Sequence, residues 1–216
     1  MKLKSALLPF CLLVALPSLA AARGLDVRDL QKLDRVSSPV LSPDGSTVLF
    51  AKRVVDADVT KGSSSLWVRN LLTRDMGPPK RLTPEGWNVN SPAFSPDGKT
   101  VYFLSGKSGI QQLYALPLAG GTPRQLTAFA LDVASYKLSP DGTRVLFSAD
   151  TFADCKADFA CTQKKLDATA AKKSTGVVYD GLFVRHWDTW ADGRRSRLFV
   201  AALPGAKAKA VSTATS

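Results

Sequence analysis

Residues 38–50 read SPVLSPDGSTVLF, residues 91–103 read SPAFSPDGKTVYF and residues 135–147 read SYKLSPDGTRVLF. The Asp-Gly pairs of successive copies are 53 and 44 residues apart. Each interval is about the length of one four-stranded blade of a β-propeller. The repeat therefore predicts an all-β fold built from propeller blades.

Each copy has the composition of a β-hairpin. Asp-Gly between two apolar runs favours a tight turn, because Gly adopts positive backbone angles at no steric cost. The Pro ahead of it ends the first strand, since Pro cannot donate a hydrogen bond to the ladder. The β-branched and aromatic residues after the turn favour a strand buried between neighbouring blades. We therefore interpret Asp44, Asp97 and Asp141 as turn formers and not as catalytic acids.

A second pair of apolar runs follows each of the first two copies and completes a four-stranded unit. The sequence predicts a short helical lead-in at 23–36, blade one at 37–83, blade two at 88–127 and blade three at 132–216. The predicted fold is an incomplete β-propeller of about three four-stranded blades. We predict an insertion in blade three at 150–197, partly helical because 157–173 is rich in Ala and Lys.

The first 22 residues have the pattern of a secretory signal peptide. Lys2 and Lys4 precede an apolar run that is too short to span a bilayer, and small residues end at Ala22. A buried N-terminal helix is the alternative interpretation. Cleavage after Ala22 predicts a periplasmic or secreted protein with no stable membrane span. Loss of the two lysines lowers the net charge from +11 to +9, and an exported protein with scattered positive charge is not expected to bind nucleic acid.

Export also decides how the cysteines are interpreted. Removal of the signal peptide takes away Cys11 and leaves Cys155 and Cys161, which we expect to form a disulfide in an oxidising compartment. Their spacing is not C-x-x-C, so the bond is predicted to be structural. Closing so short a loop stabilises the fold by about 2 kcal/mol in the chain-entropy model.

The composition argues against a complete enzyme within these 216 residues. With 45% hydrophobic residues the chain can bury a core, but it contains one His, which excludes a metal site built on several His. The nucleophile elbow G-x-S-x-G of α/β-hydrolases does not occur in it. The sequence also lacks the clusters of oxygen ligands that are typical of calcium-binding loops. It therefore predicts no catalytic residues, no metal site and no cofactor in this chain.

Three features together resemble a known family. The Ser-Pro-Asp-Gly repeats with strands ending in Gln-Leu-Thr, the signal peptide and the RHWDTW segment at 185–190 are similar to the N-terminal propeller of secreted bacterial serine peptidases of the prolyl oligopeptidase family. This is the group that includes acylaminoacyl peptidases and dipeptidyl aminopeptidases. The blade repeat alone is less specific, because propellers of the TolB type share it.

The resemblance implies the front part of a longer protein, as a fragment or a truncated product. In that family a C-terminal α/β-hydrolase domain carries the Ser, Asp and His, and the propeller admits peptides to the cavity and excludes folded proteins. The peptide substrate would then be bound together with that missing domain. Some members hold the substrate amino terminus with a pair of Glu on the propeller, whereas this chain has only Glu85.

Two further interpretations stay open from the sequence. One is a non-enzymatic TolB-like propeller that binds protein partners in the cell envelope. The other is a chain that is functional by itself and closes its ring by forming an oligomer, since three blades are fewer than a closed ring normally has. Neither the oligomeric state nor the peptide-bond specificity follows from the sequence.

The RHWDTW segment supplies the candidate substrate-contacting residues, which are Arg185, His186, Trp187 and Trp190. The alternative for His186 is a hydrogen bond in a core or interdomain contact. The alternative for the two tryptophans is packing of the insertion onto the propeller or the missing hydrolase. Arg185, Arg194, Arg195 and Arg197 form a basic cluster that either binds peptide carboxylates or is a solvated face.

Overall fold

The computed structural model describes residues 24–56, 61–72, 77–174, 176–182, 184–203 and 209–210. The predicted signal peptide lies outside the described residues. No helix in the described part of the chain is long and apolar enough to cross a membrane.

The described residues form three four-stranded antiparallel sheets, each with its strands in chain order. Blade one contains β1 (Arg35–Leu41), β2 (Thr47–Val55), β3 (Gly62–Asn70) and β4 (Lys80–Arg81). Blade two contains β5 (Val89–Phe94), β6 (Thr100–Ser105), β7 (Gln112–Pro117) and β8 (Arg124–Gln125). Blade three contains β9 (Ser135–Leu138), β10 (Arg144–Phe152), β13 (Arg194–Ala202) and β14 (Lys209–Ala210). The predicted all-β architecture of an incomplete propeller is confirmed.

Between β10 and β13 lie helix α2 (Phe159–Ala170) and a small hairpin of β11 (Arg185–His186) and β12 (Thr189–Trp190). The insertion covers 153–193 and is shorter at both ends than the predicted 150–197. The reason is the long antiparallel ladder of β10 and β13, which continues to the pair Phe152 and Arg194. Sequence patterns do not reveal how far such a ladder extends.

The lead-in also differs from its predicted form. Helix α1 (Val27–Lys32) begins at an Asp26 cap whose carboxylate accepts from the backbone N–H groups of Arg28 and Asp29, and β1 already starts at Arg35. None of the residues of α1 is buried. The apolar side chains of α1 are therefore not part of a core.

The three Ser-Pro-Asp-Gly turns share one set of hydrogen bonds. In blade two the Ser95 hydroxyl donates to the Asp97 carboxylate at 2.5 Å and accepts from the Thr100 backbone N–H at 2.9 Å. The Asp97 carboxylate also accepts from the Lys99 backbone N–H at 3.1 Å. Gly98 has a φ of +70°, which a side chain would strain. Equivalent bonds join Ser42 to Asp44 and Ser139 to Asp141.

The turns of successive blades also lie against one another. The ring of Pro43 comes within 3.4 Å of the position that a Cβ atom on Gly98 would take. Pro96 lies 3.8 Å from the same position on Gly142. The Pro and Gly of the repeat thus serve both the hairpin and the contact between blades.

A Leu-Thr pair follows the edge strand of each of the first two blades and continues its hydrogen bonding to the neighbouring strand. Thr83 accepts a hydrogen bond from the Leu66 backbone N–H, and Thr127 accepts one from the Leu113 N–H, both at 2.9 Å. Leu82 and Leu126, the neighbouring leucines, are buried. The Leu-Thr pair, which blade two carries within its Gln-Leu-Thr ending, is therefore a structural element of the blade.

Two hydrophobic cores lie between the three blades. The core between blades one and two contains Leu49, Ala51, Leu66, Leu82, Val89, Val101, Phe103, Tyr114 and Leu116. The core between blades two and three contains Leu104, Leu113, Ala115, Leu126, Val133, Val145, Phe147, Ala149, Phe199 and Ala201. Blade two contributes one face to each core, because successive side chains of a strand point to opposite faces.

A buried amide holds the connection between blades two and three. The Gln112 side chain donates to the carbonyl oxygens of Phe129 and Leu131 and accepts from the Phe129 backbone N–H. The neighbouring Gln111 accepts through its backbone carbonyl from the Val133 N–H at 2.8 Å. Together these bonds set the position of blade three, and hence of its insertion, against blade two.

We expect Ser95→Ala to lower the free energy of unfolding by about 1–2 kcal/mol, because it leaves the Thr100 N–H and the Asp97 carboxylate without their hydroxyl partner. Urea denaturation followed by circular dichroism measures the change. Ser108→Ala is the matched control, since Ser108 is exposed and makes only a 3.4 Å bond. Equal stability of the two variants would contradict the proposed role of the turn.

Acid should weaken the same turns. The Ser42 hydroxyl lowers the pKa of Asp44 to about 2, and the Ser139 hydroxyl lowers the pKa of Asp141 to about 2. A depressed pKa in the folded state adds stability that is complete above the ordinary value near 3.8 and is lost as the pH falls toward 2. Urea unfolding between pH 4.5 and 2 should therefore show a shallower loss of stability in the Asp44→Asn, Asp141→Asn double variant than in the wild type.

Candidate functional site

The insertion is fastened to blade three at its start. Cys155 and Cys161 form a disulfide with Cα atoms 5.6 Å apart, which confirms the predicted pair. The Thr151 hydroxyl donates to the Lys156 carbonyl at 3.0 Å. The Asp158 carboxylate caps α2 by accepting from the backbone N–H groups of Ala160 and Cys161. The disulfide therefore ties the first turn of α2 to the loop that follows β10.

A cluster of four phenylalanines holds α2 against the propeller. The Phe159 ring lies 4.7 Å from Phe199 and 5.7 Å from Phe129, in edge-to-face geometry between ring centroids. Phe147 stacks on Phe129 at 4.7 Å. Such aromatic pairs add stability beyond the area that they bury. Phe159 is thus the side chain that anchors the helix of the insertion.

The hairpin of β11 and β12 projects the predicted contact residues into solvent. Arg185 pairs with Trp190 and His186 with Thr189, and Trp187 occupies the turn with a φ of +51°. Trp187 is 84% exposed and Trp190 is 58% exposed. Trp187 therefore does not pack onto the described part of the propeller, because most of its ring is exposed. Its packing onto a hydrolase domain stays a prediction. His186 is exposed as well, so it does not make the core contact that we considered.

Arg185 and Trp190 of this hairpin, together with Tyr179 from the preceding segment, form a platform of one cation and two rings. The Arg185 guanidinium lies 5.3 Å from the centroid of the Trp190 ring, a distance typical of cation–π contacts. The Tyr179 ring lies 6.0 Å from Trp190 with 23° between the ring planes. Trp187 contacts the His186 ring edge-on at 6.4 Å. Arg185 and Trp190 are therefore brought together, while Trp187 contacts His186.

A cleft of about 390 Å³ lies between this hairpin and the end of blade three. Its wall includes Arg185, His186 and Trp190 from the hairpin, and Asp150, Asp192 and Arg194 from the strand ends and the following loop. A second cleft of about 420 Å³ shares Asp150 and Arg194 and reaches Gln111 and Asp132. The two clefts thus meet at Asp150 and Arg194, next to the connection between blades two and three.

The predicted basic cluster is divided by the fold. Arg194 forms an ion pair with Asp192 at 2.6 Å, and the Asp192 carboxylate also accepts from the Arg194 backbone N–H. Arg195 donates to the Arg194 carbonyl, and Arg197 contacts the Ala153 carbonyl at 3.5 Å. Arg195 and Arg197 do not line the cleft of the hairpin. Arg185 and Arg194 are the two members of the cluster that do.

Sequence reasoning missed Asp150, Asp192 and Tyr179 at this site. Asp150 and Arg194 approach because both lie at the insertion end of the β10–β13 ladder, where Asp150 pairs with Ser196. Asp192 could have been found from its place two residues before Arg194, since an Asp at that spacing can accept from the backbone. Nothing in the sequence indicated that Tyr179 belongs to the site.

Among the described residues no cluster of three His, Cys, Asp or Glu could hold a metal ion. The expectation that no cofactor is needed stays a prediction.

Comparison with protein families matches residues 23–180 to the TolB beta propeller domain. The chain belongs to this propeller family. The match includes blades one and two, the first hairpin of blade three and α2. The β11–β12 hairpin, at 185–190, comes after its last residue. Of the platform, Tyr179 lies within the matched residues, whereas Arg185 and Trp190 lie beyond them.

Individual relatives of this propeller are peptidases. Dipeptidyl-peptidase 5 of Porphyromonas gingivalis is 34% identical over 161 residues, which are 74% of this chain and 22% of that protein. The acylaminoacyl peptidase of Pyrococcus horikoshii superposes with a TM-score of 0.56 at 16% identity, over 80% of this chain and 24% of that one. The isopeptidase AtxE2 superposes with a TM-score of 0.58 at 16% identity, over 85% of this chain and 31% of that one.

These matches confirm the resemblance to the propellers of prolyl oligopeptidase-family peptidases. The chain spans about a fifth of the length of dipeptidyl-peptidase 5. The two solved structures agree with the propeller in fold at low sequence identity. The shared part is therefore the blade region.

We expect Phe159→Ala to lower the free energy of unfolding by about 2–3 kcal/mol, because it opens a gap in the cluster of phenylalanines. Trp187→Ala should change it by less than about 0.5 kcal/mol, since the ring is exposed. Urea denaturation of the two variants measures both values. A larger effect for Trp187 than for Phe159 would show that the hairpin, and not α2, anchors the insertion.

Proposed function

We propose that this chain is the substrate-gating propeller portion of an exported serine peptidase that hydrolyses peptides. The observation that carries the proposal is the 34% identity to dipeptidyl-peptidase 5 along 161 residues. The chain has a single His and no G-x-S-x-G, so the nucleophile and its base would come from another part of the polypeptide. The role of the propeller is then selection of the substrate.

The packing between blades supports a gating role. Each blade is fixed to the next by a core of large apolar side chains and by the stacked Pro and Gly of the turns. A rigid wall of this kind can admit a flexible peptide and exclude a folded protein, because it cannot widen without exposing those cores. The hairpin cleft beside blade three would then contact the peptide through Arg185, His186 and Trp190.

We further propose that the protein is periplasmic or secreted. The Cys155–Cys161 disulfide is the structural support, since such bonds persist in oxidising compartments. Residues 1–22 would act as the signal peptide, with cleavage after Ala22. Peptides are the proposed partners, and nucleic acid is not.

A non-enzymatic propeller of the TolB type is the second candidate. The family match to the TolB beta propeller domain and the net charge of +11 favour it. Such a protein would bind partners of the cell envelope through its basic surface and would carry no nucleophilic serine.

An antibody against this chain can separate the two candidates. From the envelope fraction of cells that produce the protein, it should precipitate a polypeptide several times longer than the chain. That polypeptide should react with a fluorophosphonate probe, which labels the nucleophilic serine of serine hydrolases. A precipitated polypeptide that the probe does not label would reject the peptidase and favour the envelope-binding propeller.

The gating role has its own test in the same precipitate. The enzyme should cleave a short unstructured peptide at least about a hundredfold faster than the same sequence held within a folded, disulfide-stabilised protein, because only the unstructured chain fits a rigid opening. Reduction of that host protein, which unfolds it, is the control. Equal cleavage of the folded and the unfolded host would rule out gating while leaving the peptidase in place.

A further inference from the structure

We propose that the hairpin cleft binds the C-terminal carboxylate of a peptide whose last side chain is apolar or aromatic. The inference rests on the proposed function for the identity of the ligand as a peptide. It assigns a ligand group to Arg185 and a substrate side chain to Trp190.

Arg185 is the cation that remains available in this cleft. Arg194 is occupied by its ion pair with Asp192 at 2.6 Å. Arg185 has no carboxylate partner in an ion pair among the described residues, and its guanidinium lies over the Trp190 ring. A guanidinium that contacts an aromatic ring still has N–H groups to donate, and their fork matches both oxygens of a carboxylate.

Trp190 supplies the apolar surface beside that cation. Its ring is 58% exposed and is backed by Tyr179 at 6.0 Å. The antiparallel pairing of Arg185 with Trp190 fixes the cation and the ring next to each other on the hairpin. In the last residue of a peptide, the carboxylate and the side chain are attached to the same Cα atom. One C-terminal residue can therefore contact the Arg185 guanidinium and the Trp190 ring together.

The volume of the cleft and its remaining charged residue restrict which peptides can bind. A volume of about 390 Å³ lies at the small end of the range for ligand sites and suits one or two residues. Asp150 lines the same cleft and would repel a second negative charge. The cleft should therefore disfavour a peptide that ends in Asp or Glu.

The test is an NMR titration of the purified full chain, observed at the indole N–H groups of its four tryptophans. The probes are N-acetyl-Gly-Phe with a free carboxylate, the same peptide as its C-terminal amide, and N-acetyl-Gly-Glu. Trp190→Phe assigns the Trp190 signal by removing it. We expect the free acid to shift that signal and the amide to bind at least about tenfold more weakly, as for loss of a charged hydrogen bond. The Glu peptide should also bind more weakly than the Phe peptide, because Asp150 repels its second carboxylate.

Arg185→Gln should weaken binding of the free acid at least about tenfold, whereas Arg195→Gln should stay within about twofold of the wild type. Arg195 is the matched control, because it is the neighbouring exposed arginine that does not line this cleft. The indole signals of Trp67, in β3, and of Trp87, which packs against the core between blades one and two, report whether a variant is folded. Arg185→Lys keeps the charge and should bind more tightly than Arg185→Gln.

Equal binding of acid and amide, an unshifted Trp190 signal, or equal binding by Arg185→Gln and Arg185→Lys would each overturn the inference. These results do not depend on catalysis. Failure of the peptidase proposal would instead appear as the missing fluorophosphonate label, so the two failures can be told apart.

Discussion

Burial between adjacent blades is the interaction on which the rest of the structure depends. A twisted four-stranded sheet has two faces, and blade two covers both of them only because blades one and three lie against it. Phe103 and Tyr114 face one neighbour, while Leu104 and Leu113 face the other. The hydrogen bonds of the turns, of the Leu-Thr pairs and of Gln112 add to this burial, because each connects strands whose faces the neighbouring blades already cover.

The insertion is held in place differently from the blades. Its helix contributes one ring, Phe159, to the phenylalanine cluster at blade three and is tied there by a disulfide. Its hairpin instead leaves Trp187 and Trp190 exposed. Large aromatic side chains on a projecting hairpin favour recognition of a ligand, because they offer apolar area at little cost in conformational entropy. This division between an anchored helix and an exposed hairpin underlies the proposed contact with peptides.

Much of the fold could be predicted because its chemistry is local and repeated. Ser95, Asp97 and Gly98 make their turn within six residues, and the same letters recur in each copy. The candidate site was predicted only in part. Arg185 and Trp190 lie in one short segment, whereas Asp150 joins them through the ladder of β10 and β13, about 35 residues apart in the chain. No pattern along the sequence indicates that Asp150 lies in the same cleft as Arg185 and Trp190.

The sequence by itself determined the blades, the turns and the disulfide pair, since each depends on neighbouring residues or on a spacing that repeats. Tertiary structure alone decided which aromatic residues are buried. Phe159 is held because Phe129, Phe147 and Phe199 arrive from three separate segments, while Trp187 meets no such surface. Tertiary structure also divided the arginines, pairing Arg194 with Asp192 and leaving Arg185 on the Trp190 ring. Burial and ion pairing are properties of the assembled surface, and composition alone cannot assign them.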